Sequence, residues 1–203
     1  MNAKSMFLGF APWIIFSVVA ERAGADHVAL AAILAFVIAL GLTVYETMRS
    51  GWKILDVAGV ATFGIIAVIG LVGDDQVDES LVNFGRGGST FVLAAIMAVS
   101  AFTIPFTEQY ARQSVDESLW HTPLFREKNK KISLMWAEVI LAIAVSHIIA
   151  GILTSSTDLA GSHPGNLLLN WIIPIALIVF AIKRTRAIAD QRPASAEDNP
   201  TAQ

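Results

Sequence analysis

Residues 28–72 read VALAAILAFVIALGLTVY, then ETMRSGWK, then ILDVAGVATFGIIAVIGLV. Two apolar runs of eighteen and nineteen residues flank a short gap holding Glu46, Arg49 and Lys53. A helix needs roughly 20 apolar residues to cross a hydrocarbon core of about 30 Å. Each run therefore predicts one crossing, and the gap predicts a turn at a membrane face.

The same alternation extends in both directions. Apolar stretches cover Met6–Ala20, Val28–Tyr45, Ile54–Val72, Thr90–Phe106, Ser133–Leu153 and Leu167–Ile182. Of fourteen Lys and Arg residues, twelve fall in alternate gaps: Lys4, Arg49, Lys53, Arg112, Arg126, Lys128, Lys130, Lys131, Lys183, Arg184, Arg186 and Arg192. Only Arg22 and Arg86 fall in the other gaps. Basic residues in short loops resist translocation, so this sorting predicts both chain ends on the cytoplasmic side.

Composition agrees. The 203 residues are 55% hydrophobic, with a mean hydropathy of +0.61. The longest gap, Thr107–Ile132, is 26 residues, too short for a soluble catalytic domain. The net charge of −3 averages two faces and points to no partner. With no cysteine, disulfides and thiolate chemistry are excluded. The expected fold is an all-α polytopic membrane bundle: five full transmembrane helices plus a short N-terminal segment, spanning or re-entrant. Residues 1–186 form the membrane domain, and 187–203 a disordered polar cytoplasmic tail. The first segment, interrupted by Pro12, also imitates a signal peptide in layout.

Helices in lipid associate where small residues let backbones approach. Ala31, Ala35 and Ala39, then Gly64, Ala67 and Gly70, then Ala142, Ser146 and Ala150 supply such stripes. Trp13, Trp52, Trp136 and Trp171 lie near segment ends or in the first segment, as an interfacial belt places them.

Three ionisable residues lie inside or at the edge of apolar stretches. Asp56 follows Lys53 by one helical turn, which predicts an interfacial pair with its carboxylate in headgroup water. Glu138 lies five residues into its span, and an intramembrane acid marks a functional or packing site by default. His147 is nine residues further, on the opposite helix face. Two other motifs are weak. Asp74-Asp75-Gln76-Val77-Asp78 has the spacing of a magnesium-diphosphate site but reads as a solvated acidic loop. Gly85-Arg86-Gly87-Gly88 lacks the lysine of a phosphate loop and reads as a hinge, with Ser89 or Thr90 as helix cap.

The segment Thr107–Ile132 is the best candidate surface. Tyr110, Val115, Leu119, Trp120, Leu124 and Phe125 are placed to lie in the interface. Arg126, Lys128, Lys130 and Lys131 follow, each worth about 1 kcal/mol at most against an anionic leaflet. This set (Trp120, Phe125, Arg126, Lys128, Lys130, Lys131) is the expected lipid- or partner-contact site.

The opening Phe7-Leu8-Gly9-Phe10-Ala11-Pro12-Trp13-Ile14-Ile15-Phe16 resembles the start of the bacterial intracellular septation protein A family. Ile132-Ser133-Leu134-Met135-Trp136-Ala137 is similar to that family's Asn-x-x-Trp opening of the penultimate span. Ser133 replaces the Asn there, and Glu138 stands where an apolar residue is usual. The acidic loop and the long basic loop are departures. The resemblance implies a non-enzymatic, multi-pass protein of the bacterial inner membrane, linked to envelope maintenance and septation through lipid and membrane-protein contacts. It brings no catalytic residue, cofactor or metal. The alternative expectation is a small ion- or proton-coupled carrier using Asp56, Glu138 and His147. An enzyme acting on lipid diphosphates is a more distant one.

Overall fold

The computed structural model describes residues 3–23, 27–156 and 164–190. The described residues form helices only. They run α1 (Ala3–Gly9), α2 (Ala11–Ala23), α3 (Val28–Ser50), α4 (Ile54–Val72), α5 (Asp75–Ser100), α6 (Phe106–Ala111), a 3-10 turn (Glu117–Leu119), α7 (Pro123–Ser156), α8 (Pro164–Leu167), a π turn (Leu168–Ile172) and α9 (Ile173–Ala189). Five helical stretches are long and apolar enough to cross a membrane: Val28–Ser50, Ile54–Val72, Asp75–Ser100, Pro123–Ser156 and Gly165–Ala189.

The first segment packs lengthwise against the bundle. Ser5 bonds to Glu46 near the end of α3, while Glu21 bonds to Arg86 about three turns into α5. Met6, Phe10, Trp13, Phe16 and Ala20, spaced three or four residues apart, form its buried stripe. Together α1 and α2 form a broken helical segment packed along the bundle, shorter than the five helices that are long and apolar enough to cross. The first and last described helices lie at the same end of the bundle: α1 packs there against α6, and Lys128 at the start of α7 donates to the Ala189 carbonyl at 2.8 Å. That end carries Arg49, Lys53, Arg112 and the cations of α7 and α9; we call it the basic end. Asp74, Asp75, Asp78 and Glu79 mark the opposite, acidic end.

Close backbone approach holds the helices together. A Cβ on Gly151 would lie 2.3 Å from the Asn83 carbonyl oxygen, and one on Gly87 2.6 Å from an Ile148 side-chain carbon, so α5 and α7 meet through glycine. Gly70 faces Ala29 of α3, where a Cβ would lie 3.0 Å from the alanine side chain. Ala31, Ala35 and Ala39 are buried as the stripe predicts. In α7, Ser146 and Ala150 are buried but Ala142 is exposed, so that stripe is only partly a packing face.

Four expectations need correction. First, α5 begins fifteen residues before Thr90. Asp74 caps it by accepting from the Val77 N–H at 3.0 Å, and carboxylates in a first turn suit a helix N-terminus. The acidic stretch is thus a helix start rather than a loop. Second, Gly85–Gly88 lies inside α5 and is no hinge. Ser89 and Thr90 cap nothing; both hydroxyls donate to the Arg86 carbonyl. Third, Trp13 and Trp136 are buried in the core, while Trp52 is exposed. Fourth, much of Thr107–Ile132 is ordered helix. At 34 residues, α7 extends about 51 Å by helical rise, so its first turns project beyond the hydrocarbon.

The last crossing is irregular. Its π turn sits just before Pro174, which lacks the N–H that would bond the Asn170 carbonyl. Helix α9 continues to Ala189, past the boundary expected at 186. Residues 191–203 of the polar tail lie outside the described residues.

Candidate functional site

Charged and polar groups converge at the basic end, between α1, α3, α4 and α6. The α3–α4 connection reverses through Gly51, whose φ of +83° favours glycine, and carries Lys53 back under the end of α3. There Lys53 pairs with Glu46, and both are buried. Glu46 Oε2 also accepts from the Ser5 hydroxyl at 3.0 Å and the Ser50 hydroxyl at 3.1 Å. Lys53 donates further to Ser50 Oγ at 3.0 Å and lies 5.4 Å from the Tyr110 ring centroid.

Helix α6 closes this cluster. Pro105 initiates it, and Phe106, Thr107, Glu108 and Tyr110 are all buried. Thr107 Oγ1 donates to the Asn129 carbonyl at 2.9 Å and contacts Ser133 Oγ at 2.9 Å, which pins α6 to α7. Gln109 Oε1 accepts from the Ile54 N–H at 2.9 Å, capping the start of α4. Tyr110 then projects toward Asp56. Burial, with the Asp56 and Glu46 carboxylates adding to it, pushes the Tyr110 phenol well above its ordinary pKa. The phenol is therefore a neutral hydrogen-bond donor at physiological pH.

Two buried polar atoms here lack a hydrogen-bond partner: Asp56 Oδ2 and the Tyr110 hydroxyl. An unsatisfied buried polar group costs about 1–3 kcal/mol, so this is a place with capacity for another donor or cation. Two carboxylates face one ammonium, leaving one negative charge in excess when both acids are ionised. The expected Lys53–Asp56 interfacial pair is overturned. Lys53 turns to Glu46, and the Asp56 carboxylate is buried beneath α1 instead of bathing in headgroup water.

The remaining expected residues do not join the cluster. Glu138 is exposed on the outer face of α7. His147 is buried nearer the acidic end, where its Nδ1 lies 2.9 Å from Asn170 Oδ1 in the π turn. A second polar group surrounds Arg86 at that end. The Arg86 guanidinium donates to the Ser17 carbonyl at 2.6 Å and Glu21 Oε2 at 2.9 Å, and lies 5.6 Å from the Trp171 ring centroid. Trp171 Nε1 donates to the same carboxylate at 2.9 Å. Among the described residues, no three His, Asp or Glu side chains gather to hold a metal ion.

The expected contact surface is partly internal. Arg126, Lys130 and Lys131 are exposed on α7, and Phe125 and Lys128 are half-buried. Trp120 is half-buried too: its Nε1 donates to the Val115 carbonyl at 2.9 Å, with the Arg112 guanidinium 5.1 Å from its ring centroid. Lys130 lies 4.9 Å from the Phe102 ring centroid. Tyr110, expected in the interface, is fully buried.

Neither a family model, nor a curated protein, nor a solved structure matches the chain. Fold and site together define a multi-pass helical membrane protein with a buried charge cluster at its basic end.

Proposed function

We propose that this is a non-enzymatic protein of the bacterial inner membrane, working in envelope maintenance and septation through contacts with anionic lipid and other membrane proteins. The observation that carries the reading is the rim of exposed cations at one end. Arg49, Arg126, Lys130, Lys131, Lys183, Arg184 and Arg186 all keep accessible side chains there. Such a rim attracts an anionic cytoplasmic leaflet or an acidic partner. Positive-inside sorting puts this end in the cytoplasm. The septation setting comes from the likeness of the opening segment and of Ile132–Ala137.

The test is a triple substitution of Arg126, Lys130 and Lys131 by Gln. It should weaken in-membrane cross-linking to partners and reproduce the cell-shape defect of a deletion strain. Unchanged cross-links and normal division would reject the reading.

A second reading is a proton- or cation-coupled carrier, favoured by the partnerless Asp56 Oδ2 and Tyr110 hydroxyl. It rests on Asp56 without Glu138, whose side chain faces away from the cluster. Here Asp56→Asn should abolish ion-coupled flux in proteoliposomes with the fold intact. A wild-type protein that moves no ion would remove this reading.

A further inference from the structure

Helices α4 and α5 form a hairpin that does not close along its outer face. Behind it, Trp13 and Phe16 of α2 press between the two helices. Phe63 of α4 lies 5.1 Å from Trp13 and 5.3 Å from Phe16, centroid to centroid. Trp13 Nε1 donates to the Ser89 carbonyl of α5 at 3.1 Å, and a Cβ on Gly85 would meet Phe16 at 3.2 Å. All three rings are buried. This aromatic wedge holds α4 and α5 apart and leaves a groove of about 830 Å³ on the opposite, lipid-facing side.

The groove is long and chemically divided. Its α5 wall runs from Gln76 to Ile96, about 30 Å at 1.5 Å per residue. Its body is apolar, with Ile65, Ile69, Phe84 and Val92, while Gly88 faces open space. Its mouth at the acidic end carries Asp74, Gln76 and Ser80. Of the four acids at this end, Asp74 lines the groove, while Asp75, Asp78 and Glu79 follow it in the first turns of α5 and add negative charge against roughly +0.5 of an elementary charge from the helix N-terminus. Arg86, the cation closest in sequence, is held by Glu21. The mouth therefore repels an anionic headgroup and attracts a cationic one.

We infer that this groove is a lateral lipid site: it holds one acyl chain of a phospholipid with a primary-amine headgroup, in the leaflet at the acidic end. The amine meets the Asp74 carboxylate and Gln76 at the mouth. The chain lies along Gly88 and Val92 against the wedge. The site is at the opposite end of the bundle from the cationic rim and does not depend on it.

The full chain, reconstituted in nanodiscs of equal phosphatidylethanolamine and phosphatidylglycerol with matched chains, is released into mild detergent for native mass spectrometry. A retained lipid is expected, with phosphatidylethanolamine enriched roughly two- to fivefold, the range of an interfacial ion pair. Gly88→Trp fills the groove and should remove the bound lipid. Asp74→Asn keeps the helix cap but should reduce the headgroup preference while retaining a lipid, and it decides the matter if the tryptophan variant does not fold. Equal retention of the two lipids, preference for phosphatidylglycerol, or unaltered binding in a folded Gly88→Trp variant overturns the site. The native chain lacks cysteine, so Gly88→Cys gives a clean control. High-yield disulfide dimers in native membranes would show the groove to be filled by a second copy, which also overturns it.

Discussion

Gly9 sits directly over the Tyr110 hydroxyl. A Cβ at position 9 would lie 2.9 Å from that oxygen and 3.5 Å from Asp56 Oδ1. The break between α1 and α2 thus forms the lid of the buried cluster, and the lid fits because it has no side chain. Gly9→Ala should destabilise the protein by about 1–3 kcal/mol, as overpacking does, read as a lower melting temperature in detergent. Tyr110→Phe alone should be neutral or slightly stabilising, since it deletes a buried group with no partner. Combined with Gly9→Ala it should restore most of the loss.

The Glu46–Lys53 pair is the second test. Glu46→Gln or Lys53→Met leaves one charge buried without its counter-charge, which should cost about 3–5 kcal/mol in either case. The double variant removes both charges and should recover most of that stability in chemical denaturation. A double variant as unstable as the sum of the two singles would mean that the two residues act independently.

Glycines in α5 and α7 separate contact from open space. Gly151→Ala drives a methyl group to 2.3 Å from the Asn83 carbonyl, so the α5–α7 interface must part. The folded peak in size-exclusion chromatography should largely disappear. Gly88→Ala meets nothing within 4 Å and should leave that peak unchanged or slightly larger, because alanine favours the helix.

Alkaline pH probes Tyr110. Its folded pKa is raised, so above about 10, the ordinary tyrosine value, the unfolded chain loses the proton that the folded chain keeps. Stability is complete below that pH and falls as pH rises toward the folded value. Melting temperature should drop less steeply above pH 10 in Tyr110→Phe than in the native chain. Parallel curves would place the phenol in contact with water.

The crossings were legible because runs such as 28–45 and 54–72 have the length a bilayer demands. The site was not, for reasons visible in particular residues. Asp56 stands out in the sequence, but helical spacing pairs it with its neighbour Lys53. Lys53 lies outside α4 and reaches Glu46 because the chain reverses at Gly51. Nothing in a linear pattern announces that reversal beyond one glycine. The start of α5 was obscured by Arg86, whose charge looks like the edge of a span until Glu21 and Trp171 are seen around it. Tyr110 reads as interfacial because it falls in the Thr107–Ile132 gap between two apolar stretches.

The Arg86 clasp sets an order of assembly. Ribosomes deliver Glu21 well before Arg86, so the carboxylate is already at hand when the guanidinium enters the bilayer. Trp171, the third member, emerges last. A nascent chain can thus shelter the arginine early, yet it completes the enclosure only when its final helix arrives. Truncation before that helix should leave an inserted but unlatched intermediate, a natural substrate for membrane quality-control proteases.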